Sequence, residues 1–175
     1  MIKKINRHMD SENDENSSII IRKPDLKDGK SVYNLVKNSQ PLDLNSLYYY
    51  LLMCAHFKNT STVAQYEEDI VGYVSAYRKP QNNNTLFIWQ VAVDGKMRGQ
   101  GLATRMINNI LKRDELKDLE FIETTVTPSN KASTALFEKL STRCGADLSI
   151  SPFFTSELFG ESGHEEELLF KIGPL

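Results

Sequence analysis

The chain has 175 residues, 40% hydrophobic and 25% charged, with 21 basic and 23 acidic side chains and a formal net charge of −2. Those proportions belong to a soluble globular protein, and the length suits one compact domain that needs no metal or disulfide staple. The slightly acidic balance argues against a dedicated nucleic-acid binder, and no apolar run approaches the roughly 20 residues of a membrane span. The opening MIKKINRHMDSEND lacks the apolar core of a secretory leader. Cys54 and Cys144 have no zinc spacing and read as free thiols of a reducing cytoplasm.

Residues 1–17 are polar and read as a flexible tail. Order is expected from residue 18, with a strand over Ser18–Arg22, broken by Pro24. Asp28-Gly29 opens a helix with Val32, Leu35 and Val36 on one face, closed by Pro41. A second helix, over Asn45–Phe57 with Asn45 as cap, is apolar nearly all round. Such a helix must be covered, line a pocket or meet a second subunit. A hairpin follows, Ser61–Tyr66 and Ile70–Tyr77 about an acidic turn, and then a loop over Pro80 and Asn82–Asn84.

Leu86–Val93 is almost continuously apolar, as a central strand should be. Leu102, Ala103, Met106, Ile107, Ile110 and Leu111 share one helical face. A strand over Phe121–Thr127 leads through Pro128-Ser129-Asn130 into a helix with Ala132, Leu136, Phe137 and Leu140 inward, stopped by Gly145. Two late strands, near Ala146–Ile150 and Glu166–Ile172, flank a loop holding Pro152, Gly160 and Gly163. The expected order is β-α-α-β-β-β-α-β-α-β-β. That is an α/β fold with a mixed twisted sheet of about seven strands, a right-handed parallel crossover over residues 86–127, and helices on both faces.

The segment Lys96-Met97-Arg98-Gly99-Gln100-Gly101-Leu102-Ala103 carries the chemistry. A buried strand enters a glycine turn and a helix begins at once. Backbone N–H groups then converge on one spot with the positive end of the helix behind them, which suits a phosphate or pyrophosphate. No Gly-Lys-Ser/Thr follows, and the third glycine of a dinucleotide fingerprint is missing. A plain strand-to-helix turn is the alternative on these residues alone.

The same segment resembles the pyrophosphate loop of the GCN5-related N-acetyltransferases, Arg/Gln-x-x-Gly-x-Gly/Ala, with Lys96 where Arg or Gln is usual. Asn130-Lys131-Ala132-Ser133-Thr134-Ala135-Leu136-Phe137 is similar to that family's Asn-x-x-Ala-x-x-Leu-Tyr helix. Further blocks, Leu42–Ser46 with Tyr48 and Tyr50, Trp89–Val93, Glu123–Asn130 and Phe159-Gly160 with Gly163-His164-Glu165, resemble a branch of the family that acetylates a small diamino acid. The resemblance implies acetyl-CoA as cosubstrate, direct attack by an amine in a ternary complex with no acyl-enzyme, and frequent dimerisation. It assigns cofactor contacts to Val91, Ala92, Val93, Arg98, Gly99, Gln100, Gly101, Leu102, Ala103, Asn130 and Ser133. A bulge in the central strand would bring the main chain of Val91 and Ala92 to the acetyl group. The family's proton-donating Tyr is Phe137 here, so that role must move to one of the other tyrosines, to His164, or to solvent.

A diamino acid calls for carboxylates, an aromatic face for an ammonium and a donor for its own carboxylate. Asp43 is either a helix-entry residue or a substrate contact; Trp89 is either core or substrate face. Glu123, on a strand otherwise apolar and Thr-rich, must be paired or functional, as base or contact. Tyr48 and His164 complete the candidate set, with helix packing and plain solvation as their alternatives. Glu157 and the run Glu165-Glu166-Glu167 read as solvated charge. Rival functions are acetylation of another small diamine or polyamine, a non-catalytic acyl-CoA sensor, and protein acetylation.

Overall fold

The computed structural model describes residues 19–175, so the expected tail, residues 1–17, lies outside the described residues. The elements follow the expected order. They are β1 Ile20–Arg22, α1 Gly29–Lys37, α2 Leu47–His56, β2 Thr62–Tyr66, β3 Asp69–Lys79, β4 Asn82–Val93, α3 Leu102–Leu111, β5 Phe121–Val126, α4 Lys131–Cys144, β6 Leu148–Phe154 and β7 Glu167–Ile172. The strands form one sheet in the order β1-β2-β3-β4-β5-β7-β6. Every neighbouring pair is antiparallel except β4 with β5, which the α3 crossover joins in parallel.

Helices cover both faces. On one, Met106, Ile107 and Ile110 of α3 and Phe137 and Leu140 of α4 pack on Val74, Ile88 and Ile122 of the sheet. On the other, Val32, Leu35 and Val36 of α1 and Tyr50 and Cys54 of α2 pack on Val63, Tyr73 and Ala92. The helical face read from the α3 sequence is the buried one, each such side chain contributing about 1.5–3 kcal/mol relative to exposure.

Five local readings change. Ser46 rather than Asn45 caps α2, its hydroxyl accepting from the Tyr49 N–H at 3.2 Å, while the Asn45 N–H donates to the Tyr50 hydroxyl at 3.3 Å. The expected loop over Pro80 and Asn82–Asn84 is a tight hairpin with Lys79 opposite Asn82; the asparagines belong to β4, where Arg78 bonds the Asn83 carbonyl. The first late strand, expected near Ala146–Ile150, is Leu148–Phe154 and runs through Pro152. It is an edge strand, where a residue without an N–H costs no ladder bond on the open side. Short 3-10 turns over Ser156–Ser162 fill the connection to β7. Ala132, expected inward, is exposed at the first turn of α4, and Leu136 is half-buried.

Beneath α2, Arg22 on β1 clamps the start of α1. Its guanidinium donates to both oxygens of Asp28, at 2.7 and 2.9 Å, and to Gln65 on β2. Burial works against the Asp28 charge, but the Arg22 bonds, the Asp25 N–H at 2.6 Å and the guanidinium charge outweigh it and hold the carboxyl below its ordinary value. A carboxylate lowered in the folded state contributes stability above its unfolded pKa and loses it as pH falls through the folded one. Asp28→Asn should therefore cost about 2 kcal/mol at pH 7, the size of a charged hydrogen bond, and progressively less as pH falls below the unfolded value toward pH 3. Urea unfolding of both proteins at the two pH values checks this.

Candidate active site

The site originates where two strands part. β4 and β5 pair only from Thr85–Phe87 with Phe121–Glu123. Beyond that point β4 continues to Val93 bonded to β3, and β5 continues to Val126 bonded to β7. The β4 edge facing the gap is left without a neighbouring strand. A bulge accompanies the parting: Ser75 faces Gln90 and Ala76 faces Ile88, so Trp89 is the extra residue. Bulges re-aim side chains, and here Trp89 and Gln90 both serve the face covered by α1 and α2.

At the wide end of the gap lies a groove of about 340 Å³ between the start of α3, the first turn of α4 and the α1–α2 connection. Gly99 (φ +77°) and Gly101 (φ +72°) shape the turn, and a Cβ at either would meet nothing within 4 Å. Glycine is therefore required there by conformation, and the space before it is open. The first bond of α3 runs from the Arg105 N–H to the Gly101 carbonyl, which leaves the N–H groups of Leu102, Ala103 and Thr104 ahead of the bonded series and pointing outward. Such donors, with the helix dipole behind them, fit a diphosphate.

Among the expected cofactor residues, Val91, Val93, Arg98, Gly99, Gly101, Leu102, Ala103, Asn130 and Ser133 line the groove. The Ala92 side chain points the other way, under α1 and α2. The Gln100 side chain turns back to the Lys96 carbonyl, and Arg98 Nε donates to the Val93 carbonyl at 3.1 Å. Asn130 also caps α4, accepting from the Ser133 N–H. Sequence reasoning missed one wall, Ser39–Leu42. Nothing local marks those residues; the packing of α1 on the sheet brings them there.

The opposite mouth of the gap is aromatic and acidic. Trp89 is 51% exposed and so is not core. Tyr49 packs edge-on against it at 4.9 Å between centroids, and Tyr77 lies at 6.3 Å. Burial pushes the Tyr49 phenol up to about 12 and raises that of Tyr77, so both are neutral near pH 7. Tyr48 is 69% exposed; its neighbour Tyr49 is the tyrosine that reaches Trp89. Gln90, given no role in the sequence beyond its place in the Trp89–Val93 block, is buried and ties the Asp43 carbonyl (2.9 Å) to the Tyr50 hydroxyl (3.2 Å).

Glu123 is buried opposite Phe87, and Lys79 donates to it at 2.5 Å with Lys171 at 3.9 Å. Of its two sequence readings, pairing is thus present. His164 and Asp43, far apart in sequence, meet: Nε2 lies 3.6 Å from the Asp43 carboxylate and 3.8 Å from Glu167. The ring stacks on Phe159, and Nδ1 bonds the Glu165 carbonyl at 2.7 Å. Neither Glu165 nor Glu167 is merely solvated, since Glu165 bonds Ser129. Phe137 is sealed in the core, so no hydroxyl reaches the groove from that position.

A splayed parallel pair beside a glycine-shaped helix start defines an acyl-CoA-dependent N-acyltransferase. The acetyltransferase (GNAT) family pattern matches residues 29–141, and this chain belongs to that family of acetyl-CoA-dependent N-acetyltransferases. It is similar to the L-2,4-diaminobutyric acid acetyltransferase of Marinococcus halophilus, 46% identical over 157 residues, 90% of this chain and 91% of that protein. The protein of the same name from Vibrio cholerae is 44% identical over 87% of this chain and 88% of its own. Among solved structures, diaminobutyrate acetyltransferase EctA from Paenibacillus lautus, in complex with L-2,4-diaminobutyric acid and coenzyme A, matches with a TM-score of 0.87 and 40% identity. That match covers 90% of this chain and 96% of that one. Ard1 from Thermoplasma volcanium shares the fold at 16% identity and a TM-score of 0.69, covering 89% of this chain and 97% of its own.

Two outcomes follow from the geometry. Gly101→Ala forces a side chain into the left-handed region, at a cost of about 1 kcal/mol, and should raise the KM for acetyl-CoA several-fold. Gly95→Ala, with open space and no positive φ, should leave KM unchanged in the same steady-state assay. The His164 pKa is raised by its bond to the Glu165 carbonyl, against slight desolvation, with the Glu167 and Asp43 charges adding. Its protonated form should persist above the ordinary 6.5 and be lost as pH rises through the raised value; Asp43→Asn should bring the midpoint down, read by imidazole NMR titration.

Proposed function

We propose that this protein transfers acetyl from acetyl-CoA to the 4-amino group of L-2,4-diaminobutyrate, giving N4-acetyl-L-2,4-diaminobutyrate, the acetylation step of ectoine synthesis. The observation that carries the reading is the likeness, over nine-tenths of the chain, to a solved enzyme holding that diamino acid and coenzyme A together. The aromatic and carboxylate-lined mouth supports it, because ammonium groups favour exposed aromatic faces and acceptor oxygens.

Main-chain groups of Val91 and Val93, which alternate away from β3 and into the gap, hold the pantetheine arm and polarise the thioester carbonyl, with the Val91 N–H donating to the developing oxyanion. The main chain of Ala92, expected at the acetyl group, instead faces Tyr73 on β3. The amides from Arg98 to Ala103 hold the diphosphate, and Asn130 and Ser133 the far wall. Trp89, Asp43, Tyr48, Glu123 and His164 bind and orient the diamino acid. An amine with a pKa of about 10.4 arrives as ammonium and must lose a proton before it attacks. Glu123 or His164 takes that proton. The neutral amine nitrogen then bonds to the carbonyl carbon, the C–S bond breaks as the tetrahedral adduct collapses, and the second N–H proton of that adduct passes to the departing thiolate or to solvent, leaving amide and free thiol. That thiolate, of pKa about 8.5, is a tolerable leaving group without a phenol at position 137.

Two copies form the working unit. The edge strand β6 with its following turn exposes Ile150, Phe153, Phe154 and Leu158, more apolar surface than a lone edge usually shows. Unbridged Cys54 and Cys144 agree with a cytoplasmic setting; among the described residues no helix is long and apolar enough to cross a membrane.

Thiol release from acetyl-CoA across a panel of diamines and polyamines, with NMR of the product, tests the reading. Diaminobutyrate should be preferred and acetylated at N4; equal turnover of all amines defeats the substrate assignment. Glu123→Gln should lower kcat at least tenfold and move the acidic limb of the pH–rate profile. An unmoved limb assigns Glu123 to structure and leaves the base to His164.

A further inference from the structure

Glu165 was expected to be solvated charge, yet it closes a contact the sheet register sets up. The antiparallel ladder of β5 and β7 ends with Val126 opposite Leu168. Three residues further along each strand, the same register brings Ser129 to Glu165. There the Glu165 carboxylate accepts from the Ser129 N–H at 3.3 Å and from its hydroxyl. Ser129 precedes Asn130, the cap of α4 and part of one wall of the acetyl-CoA groove. A carboxylate at this end of a 14-residue helix also complements its dipole.

The preceding residue reaches the other way. His164 approaches Asp43 in the α1–α2 connection, the residue that follows Leu42 at the end of the opposite wall. Gln90 of the bulged strand holds the same connection through the Asp43 carbonyl. Two consecutive side chains therefore tie both walls of the groove to one short segment, and one of the ties passes through the amine side of the site.

We propose that Glu165 is a positioning residue that couples the amine side to the cosubstrate groove: it fixes the start of α4 against the segment carrying His164, so that diamine and coenzyme bind with positive cooperativity. The coupling part rests on the diamino acid reading above. An amine that draws Asp43 and His164 together orders the 164–165 segment. Ser129 and the α4 cap are then already placed when coenzyme enters. By reciprocity, coenzyme must tighten the amine by the same factor.

The test is calorimetric titration of the full chain with coenzyme A, alone and with saturating L-2,4-diaminobutyrate, beside acetyl-transfer kinetics. Wild type should bind coenzyme A about 5- to 20-fold tighter with the amine present, within the usual range of such couplings. Glu165→Ala should bind coenzyme A about fivefold more weakly on its own and lose the response to amine, with the thermal midpoint lowered by no more than about 4 °C. Glu165→Gln keeps an oxygen for the Ser129 donors and should recover much of the response; Ser129→Ala should lose part of it. Full coupling in Glu165→Ala, or none in a wild type that makes product, overturns the proposal. A wild type that makes no product from diaminobutyrate instead defeats the substrate reading. Coenzyme affinity without amine then decides the role of Glu165, and equal affinity in Glu165→Ala overturns it.

Discussion

The parting of β4 from β5 after Phe87 and Glu123 is the constraint on which the rest of the site depends. A buried parallel pair would ordinarily stay bonded, because each unpaired backbone group in a sheet must find another partner. Here Met106 and Ile107 of α3 and Phe137 and Leu140 of α4 belong to one core with the sheet, so the strands diverge beside a filled core and the opening between them is the groove. The edge of β4 that is set free is then a row of donors and acceptors awaiting an extended, amide-bearing ligand. Pantetheine has that character.

The same divergence separates two chemistries. At its wide end the groove offers helix-start N–H groups and two glycines in the left-handed region, an environment for phosphates. At the other mouth, neutral phenols, a half-exposed Trp89 and the Asp43 and Glu167 carboxylates make an environment for ammonium groups. The two ends of one gap therefore suit opposite charges, an anion at the helix start and an ammonium at the aromatic mouth. Phe137, where a phenol is usual in the family, is consistent with this division. It packs in the core, where its aromatic volume needs no oxygen.

The loops close the arrangement. Asp43, His164 and Glu165 come from the α1–α2 connection and the approach to β7; buried Gln90 of β4 anchors the Asp43 carbonyl, Asp43 meets His164, and Glu165 holds Ser129. An exposed rim of this kind has little intrinsic stability and takes its order from what it touches.

The sequence by itself determined the element order, the crossover and the glycine turn that opens α3. Each of these is a local matter: the 3.6-residue stripe of α3, the apolar run of β4, and glycines that alone tolerate φ near +75°. Local patterning also misjudged some positions for physical reasons. Pro152 reads as a strand breaker unless its strand is an edge, and Ala132 reads as core unless the first turn of its helix borders a groove. Only the tertiary structure decided where the bulge falls, that Tyr49 rather than Tyr48 meets Trp89, that Glu123 is paired to Lys79, and that Ser39–Leu42 form a wall. These depend on strand register and on how α1 and α2 seat against the sheet. They are contacts between residues tens of positions apart, and no periodicity within a single segment encodes them.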